Sequence, residues 1–176
     1  MIERIARTTL SSGRSPVFSN NGMVATSQPL AAQAGLQALH DGGNAIDAAI
    51  TAAAVLNVVE PQSTGIGGDM FMIYWNENEK KLYGLNGSGA VGKESTWEYF
   101  HSKGLRTMPE TGALSITVPG ALDGWCTALE KFGSGKMTLQ RLLQPAIFYA
   151  EKGFPVSPII QSAWDQQTEK LKLKPF

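Results

Sequence analysis

Cysteine is almost missing from this 176-residue chain: Cys126 stands alone. That excludes an intrachain disulfide, and no Cys/His spacing for a zinc site is present. Histidine occurs twice, at His40 and His101, and neither lies near a Ser or Cys in a nucleophile setting such as G-x-S-x-G. Charge of either sign is not in excess, because fifteen Lys and Arg balance fifteen Asp and Glu. The balance leaves no electrostatic footprint for nucleic acid or an anionic membrane, so neither is expected as a partner. No apolar stretch approaches the roughly 20 residues of a membrane span. The opening MIERIARTTLSSGRSPVF has no apolar h-region of a secretory signal. A cytoplasmic protein without metal or cofactor is the expectation.

Glycine, by contrast, is plentiful. Nineteen residues exceed the usual share of about 7% and cluster at 65–68, 84–92 and 120–135, which reads as turn chemistry. With 43% hydrophobic and 17% charged residues the composition is that of a globular chain. Residues 1–21 read as an arm with little core of its own, and 22–176 as the body.

Gly22 to Thr26 is a short apolar run that predicts a strand. Ser27-Gln28-Pro29 starts a helix, with Ser27 the candidate cap, that ends near Asp41 at Gly42-Gly43. Asn44 opens the next, with Asp47 at its positive end. Ile46, Ala49, Ile50, Ala53 and Val58 give it an apolar stripe, and it is apolar nearly all round, as buried helices are. Ala31, Ala34, Gly35 and Ala38 can face Ala48, Ala49, Ala52 and Ala53 in a tight helix hairpin. Met70 to Trp75 and Lys80 to Asn86 predict an antiparallel hairpin joined by Asn76–Glu79. Ser95 can cap a short helix to Lys103, Leu114 to Val118 reads as a strand, and helices follow over 120–131, 139–152 and 158–173. The class is α+β.

Gly87-Ser88-Gly89-Ala90-Val91-Gly92 satisfies G-x-G-x-x-G. A dinucleotide site needs that loop inside a parallel βαβ unit with its third glycine in a helix. Here the preceding strand is the return arm of a hairpin and the helix begins later. An open loop whose backbone approaches another backbone or a ligand fits better. Gly65-Ile66-Gly67-Gly68 lacks the Lys-Ser/Thr of a phosphate loop and reads as a turn needing positive φ. Cys126, beside Trp125, is expected to be a buried inert thiol. Asp69 has no second acid to pair with and reads as turn chemistry.

The order of segments carries more information than any one of them. GMVATSQPLAAQAGLQALHDGGNAIDAAITAAAVLNVVEPQSTGIGGDMFMIYW resembles the start of gamma-glutamyltransferases and the related cephalosporin and glutaryl acylases. Ser115-Ile116-Thr117-Val118-Pro119-Gly120, Gln144-Pro145-Ala146 and Gly153-Phe154-Pro155-Val156 follow in family order, so the likeness covers about 22–165. It implies an N-terminal-nucleophile hydrolase, an αββα sandwich of which this chain supplies an incomplete helix-rich portion with a β-hairpin. It further implies a precursor that cleaves itself, exposing a threonine whose hydroxyl attacks a substrate amide with the freed α-amine as base. In the family that threonine lies well downstream, so no catalytic residue is expected among these 176, and the chain alone is expected to be inactive. The family's carboxylate-clamping arginine, in D-F-R-E-x-A-P, aligns with Ser88, flanked by Gly87 and Gly89. These three are the candidate substrate-binding residues, for a small gamma-glutamyl or acyl amide. A hydroxyl replaces a bidentate fork there, which puts glutathione-type donors in doubt. The expected partner is the small-subunit half or a second copy of the chain. Two rival readings are a non-catalytic fragment that binds a partner, and a nucleotide-binding enzyme using Gly87–Gly92.

Overall fold

The computed structural model describes residues 15–109 and 112–172. Its elements are α1 (Pro29–His40), α2 (Ala45–Val59), β1 (Met70–Asn76), β2 (Lys81–Gly87), α3 (Trp97–Ser102), a 3-10 turn (Ala113–Ser115), α4 (Ala121–Phe132), α5 (Leu139–Lys152) and α6 (Pro158–Lys172). The sequence reading of residues 1–14 as part of an arm, and of 173 as the end of the last helix, falls outside the described residues.

Helix α2 is central because it has almost no polar face. Ile46, Ile50, Val55 and Val59 are buried, and α2 packs on α1 along one side and on α5 along the other. The expected stripe is corrected in detail: Ala49 is exposed and Ala53 and Val58 are half-buried, whereas Ala48, Ala52 and Ala54 are buried. Small residues set the α1–α2 spacing. A Cβ on Gly35 would stand 3.0 Å from the Ala48 carbonyl oxygen, so the two backbones touch where the side chain is missing.

The start of α2 is a capping box. Asn44 Oδ1 accepts from the Ile46 and Asp47 amides, and Asp47 Oδ2 accepts from the Asn44 amide at 2.8 Å. Asn44 Nδ2 also donates to the Phe132 carbonyl at 2.7 Å, and the Ser134 amide donates to Asp47 at 3.2 Å. One helix start thereby anchors the end of α4. At α1 the cap is Gln28 rather than Ser27. The Ser27 hydroxyl instead donates to Glu60 Oε2 at 2.8 Å, tying the entry of α1 to the exit of α2. Similarly Thr96, not Ser95, caps α3.

Strands β1 and β2 form the expected antiparallel hairpin, in the register Met70↔Gly87 through Asn76↔Lys81. Its turn is held by Asn76, whose side-chain oxygen accepts from the Asn78 and Glu79 amides. Met70, Met72, Tyr74 and Leu85 face the core. Phe132 of α4 packs against Tyr74 and Tyr83, with ring centroids 5.3 and 4.8 Å away. The other face presents Phe71, Ile73, Trp75 and Leu82 to solvent. Two predicted strands are not strands. Residues 22–26 have no ladder partner among the described residues, and 114–118 is a 3-10 turn followed by irregular chain in which Ile116 is extended. Apolar alternation favours extension, but a strand exists only where another strand supplies its hydrogen bonds.

Candidate functional site

Three segments far apart in sequence meet beyond the end of the hairpin. The first is the turn before β1. The Gly68 carbonyl accepts from the amides of Gly120 and Ala121 at 3.0 and 2.9 Å, which satisfies two donors at the start of α4. The second is the loop that leaves β2 at Gly87, and the third is the stretch 116–120 that leads into α4.

Their approach is closer than any side chain would permit. A Cβ on Gly87 would lie 2.9 Å from the Met70 carbonyl oxygen and 3.3 Å from Gly124 Cα. A Cβ on Gly89 would overlap the Val118 carbonyl, and one on Gly120 would overlap the Gly87 carbonyl. The Val118 amide closes the crossing by donating to the Ala90 carbonyl at 2.9 Å. The loop over 87–92 is thus a backbone-on-backbone crossing, as the glycine spacing predicted. Ser88 lies between the two tight glycines and is exposed, with its amide donating to Asn86 Oδ1 at 2.9 Å.

Asp69 has a larger part than the turn role read from sequence. Its Oδ1 accepts from the Gly89 amide at 3.2 Å and from the Thr117 hydroxyl at 3.1 Å, so one carboxylate joins all three segments. No spacing rule links 69, 89 and 117, and the contact was not visible in the sequence.

The other candidates are placed apart. His40 is the last residue of α1, and His101 stacks on Trp97 within α3 at a centroid distance of 4.6 Å. Cys126 is exposed, which corrects the buried thiol expected: Trp125 and Ala128 turn inward from α4 and leave Cys126 on the outer side. The turn 65–68 also differs from expectation, since none of its glycines has positive φ, and a Cβ on Gly65 or Gly67 would meet open space. Among the described residues no three His, Cys, Asp or Glu side chains gather as a metal site would require. The nucleotide reading of 87–92 has no geometric basis: β2 is antiparallel to β1, and Gly92 precedes α3 by several residues.

Beside the crossing, an apolar groove of about 540 Å³ opens between α2, α4 and α5, lined by Val58, Ile66, Trp125, Leu143 and Ile147 among others.

Residues 31–176 match the gamma-glutamyltranspeptidase family. The chain belongs to that family. Among its relatives, the glutathione hydrolase-like YwrD proenzyme of Bacillus subtilis is 42% identical over 142 residues, covering 80% of this chain and 26% of the relative. The cephalosporin acylase of Bacillus halodurans superposes with a TM-score of 0.85 at 43% identity, covering 100% of this chain and 32% of the acylase. The gamma-glutamyltranspeptidase of Helicobacter pylori gives 0.79 at 30% identity over 88% of this chain and 44% of the other. The family expectation therefore holds, as does the expected helix-rich portion with a β-hairpin. The chain spans about a quarter of the length of that curated relative, 26%.

Proposed function

We propose that this chain is the large-subunit portion of a gamma-glutamyltransferase-like amidohydrolase or acylase, with residues 22–176 forming one wall of its donor site. The nucleophilic threonine and its α-amine base come from further polypeptide, and the 176 residues alone do not cleave amides. The observation that carries this reading is the glycine crossing with Ser88 exposed between Gly87 and Gly89, in a chain whose family membership is secure. Ser88, Gly87 and Gly89 are the donor-contacting residues of this proposal.

A serine hydroxyl can offer one hydrogen bond to a donor head group, whereas a guanidinium offers a charged fork. The preferred donors are therefore acyl amides that do not depend on a carboxylate clamp, and glutathione is a poor one. The apolar outer face of the hairpin, Phe71, Ile73, Trp75 and Leu82, supports a large docking partner, either the small-subunit half or a second copy. A cytoplasmic site of action is part of the same proposal. Among the described residues no helix is long and apolar enough to cross a membrane.

The test is a substitution in the native protein with any chain that co-purifies. Ser88→Arg should improve kcat/KM for a gamma-glutamyl anilide by about tenfold, since a charge-assisted pair adds roughly 1.5 kcal/mol or more. It should leave a butanoyl anilide, which carries no α-carboxylate, little changed. Equal effects on both substrates would remove Ser88 from the donor site.

A further inference from the structure

We propose that Asp69 is a positioning residue for the donor loop, acting through the Gly89 amide and the Thr117 hydroxyl. The inference rests on the proposed function, because it assigns a role at the same site.

The hairpin register explains why an acid is useful there. Met70 pairs with Gly87, the last rung of the ladder. One residue further out, Asp69 faces the stretch that carries Ser88, beyond the reach of backbone pairing. Its side chain supplies the acceptor that a continuing strand would have offered to Gly89, at 3.2 Å. The same oxygen takes the Thr117 hydroxyl at 3.1 Å, which fixes the loop laterally against the stretch leading into α4. A carboxylate accepts at two oxygens with about four lone-pair sites, so one oxygen can serve two donors.

Two features separate this role from plain support of the fold. Asp69 is exposed and contributes no core. The crossing itself is closed by other groups, namely the glycine contacts, the Val118–Ala90 hydrogen bond and the Gly68 carbonyl on Gly120 and Ala121. What Asp69 adds is restraint on Gly89, the residue directly after Ser88. A loop held in one conformation binds without an ordering cost, and loss of the restraint appears as weaker binding.

The experiment uses the native protein with any co-purifying chain and a butanoyl anilide donor. Asp69→Ala should raise KM about tenfold while kcat stays within about twofold. Asp69→Asn keeps an acceptor oxygen and should restore most of the lost binding. In a Ser88→Ala background the Asp69→Ala effect should shrink, because both residues act on one loop. Amide hydrogen exchange at Gly89 should quicken about tenfold in Asp69→Ala and less in Asp69→Asn. An active wild type whose KM is unchanged by Asp69→Ala overturns the positioning role, as do strictly additive Asp69 and Ser88 effects. A wild type without amidase activity overturns the proposed function instead. In that case the exchange rate decides the anchor by itself, and an unaltered Gly89 rate overturns it.

Discussion

Glycines that look alike in the sequence are under very different constraints. Gly89 and Gly120 lie where any Cβ would run into backbone, in one case the Val118 carbonyl and in the other the Gly87 carbonyl. Backbone atoms cannot rotate out of the way as a side-chain tip can, so Gly89→Ala and Gly120→Ala should each destabilise by about 3 kcal/mol or more. Gly65 and Gly67 have open space and ordinary φ, so their alanine variants should stay within about 0.5 kcal/mol of the parent. Urea unfolding of the four variants checks both halves. The sequence points to a loop at 87–92 whose backbone approaches another backbone or a ligand, and to a turn of positive φ at 65–68. The first holds because the return arm of a hairpin rules out a parallel βαβ unit, and a Cβ at Gly89 would meet the Val118 carbonyl. The second does not, because a glycine cluster reports a possible turn and not its dihedral angles. Asp69 carries more than its turn position indicates for a related reason, since its partners at 89 and 117 are set by tertiary contact.

Elements whose hydrogen bonds close locally were the legible ones. Helices α1, α2, α4 and α5 fall where periodicity, Asn44 and the glycine stops place them, and the β1–β2 hairpin needs no partner beyond its own return strand. Residues 22–26 and 114–118 carry equally apolar runs, yet no strand pairs with either among the described residues. Caps slipped by one residue at α1 and α3, because Ser27 is drawn to Glu60 and Thr96 bonds the Tyr99 amide. Helix spacing gives the element-scale prediction. Gly35→Ala gains about 1 kcal/mol of helix propensity but forces a methyl to 3.0 Å from the Ala48 carbonyl oxygen. Separating two packed helices costs about 1–3 kcal/mol, so the variant should be net destabilised in thermal unfolding. A more stable Gly35→Ala would mean that α1 and α2 are not held in close contact.

Across the described residues, polar ties join parts of the chain that are distant in sequence. Arg141 of α5 donates to Asp41 at the end of α1 at 2.6 Å, linking positions 100 residues apart. The Gln37 amide and then the Arg141 guanidinium hold the Asp41 carboxyl below its ordinary value of 3.8. A carboxyl depressed on folding stabilises the protein above its unfolded value and loses that contribution as pH falls through the folded one. Asp41→Asn should therefore be less stable than the parent near neutrality and converge with it as the pH drops below 3.8, as acid unfolding would record. The broader claim is that these residues form a framework for chemistry supplied by more polypeptide. Supporting it are the exposed apolar sheet face, the open groove beside the glycine crossing, and a span of 32% of the Bacillus halodurans acylase. The direct measurement is an intact mass spectrum with amino-terminal sequencing of the protein isolated from its native source under non-denaturing conditions. A co-purifying chain that begins with threonine, and amide hydrolysis that tracks with it, is the predicted result. A lone chain of these 176 residues that hydrolyses an acyl anilide by itself would contradict the account.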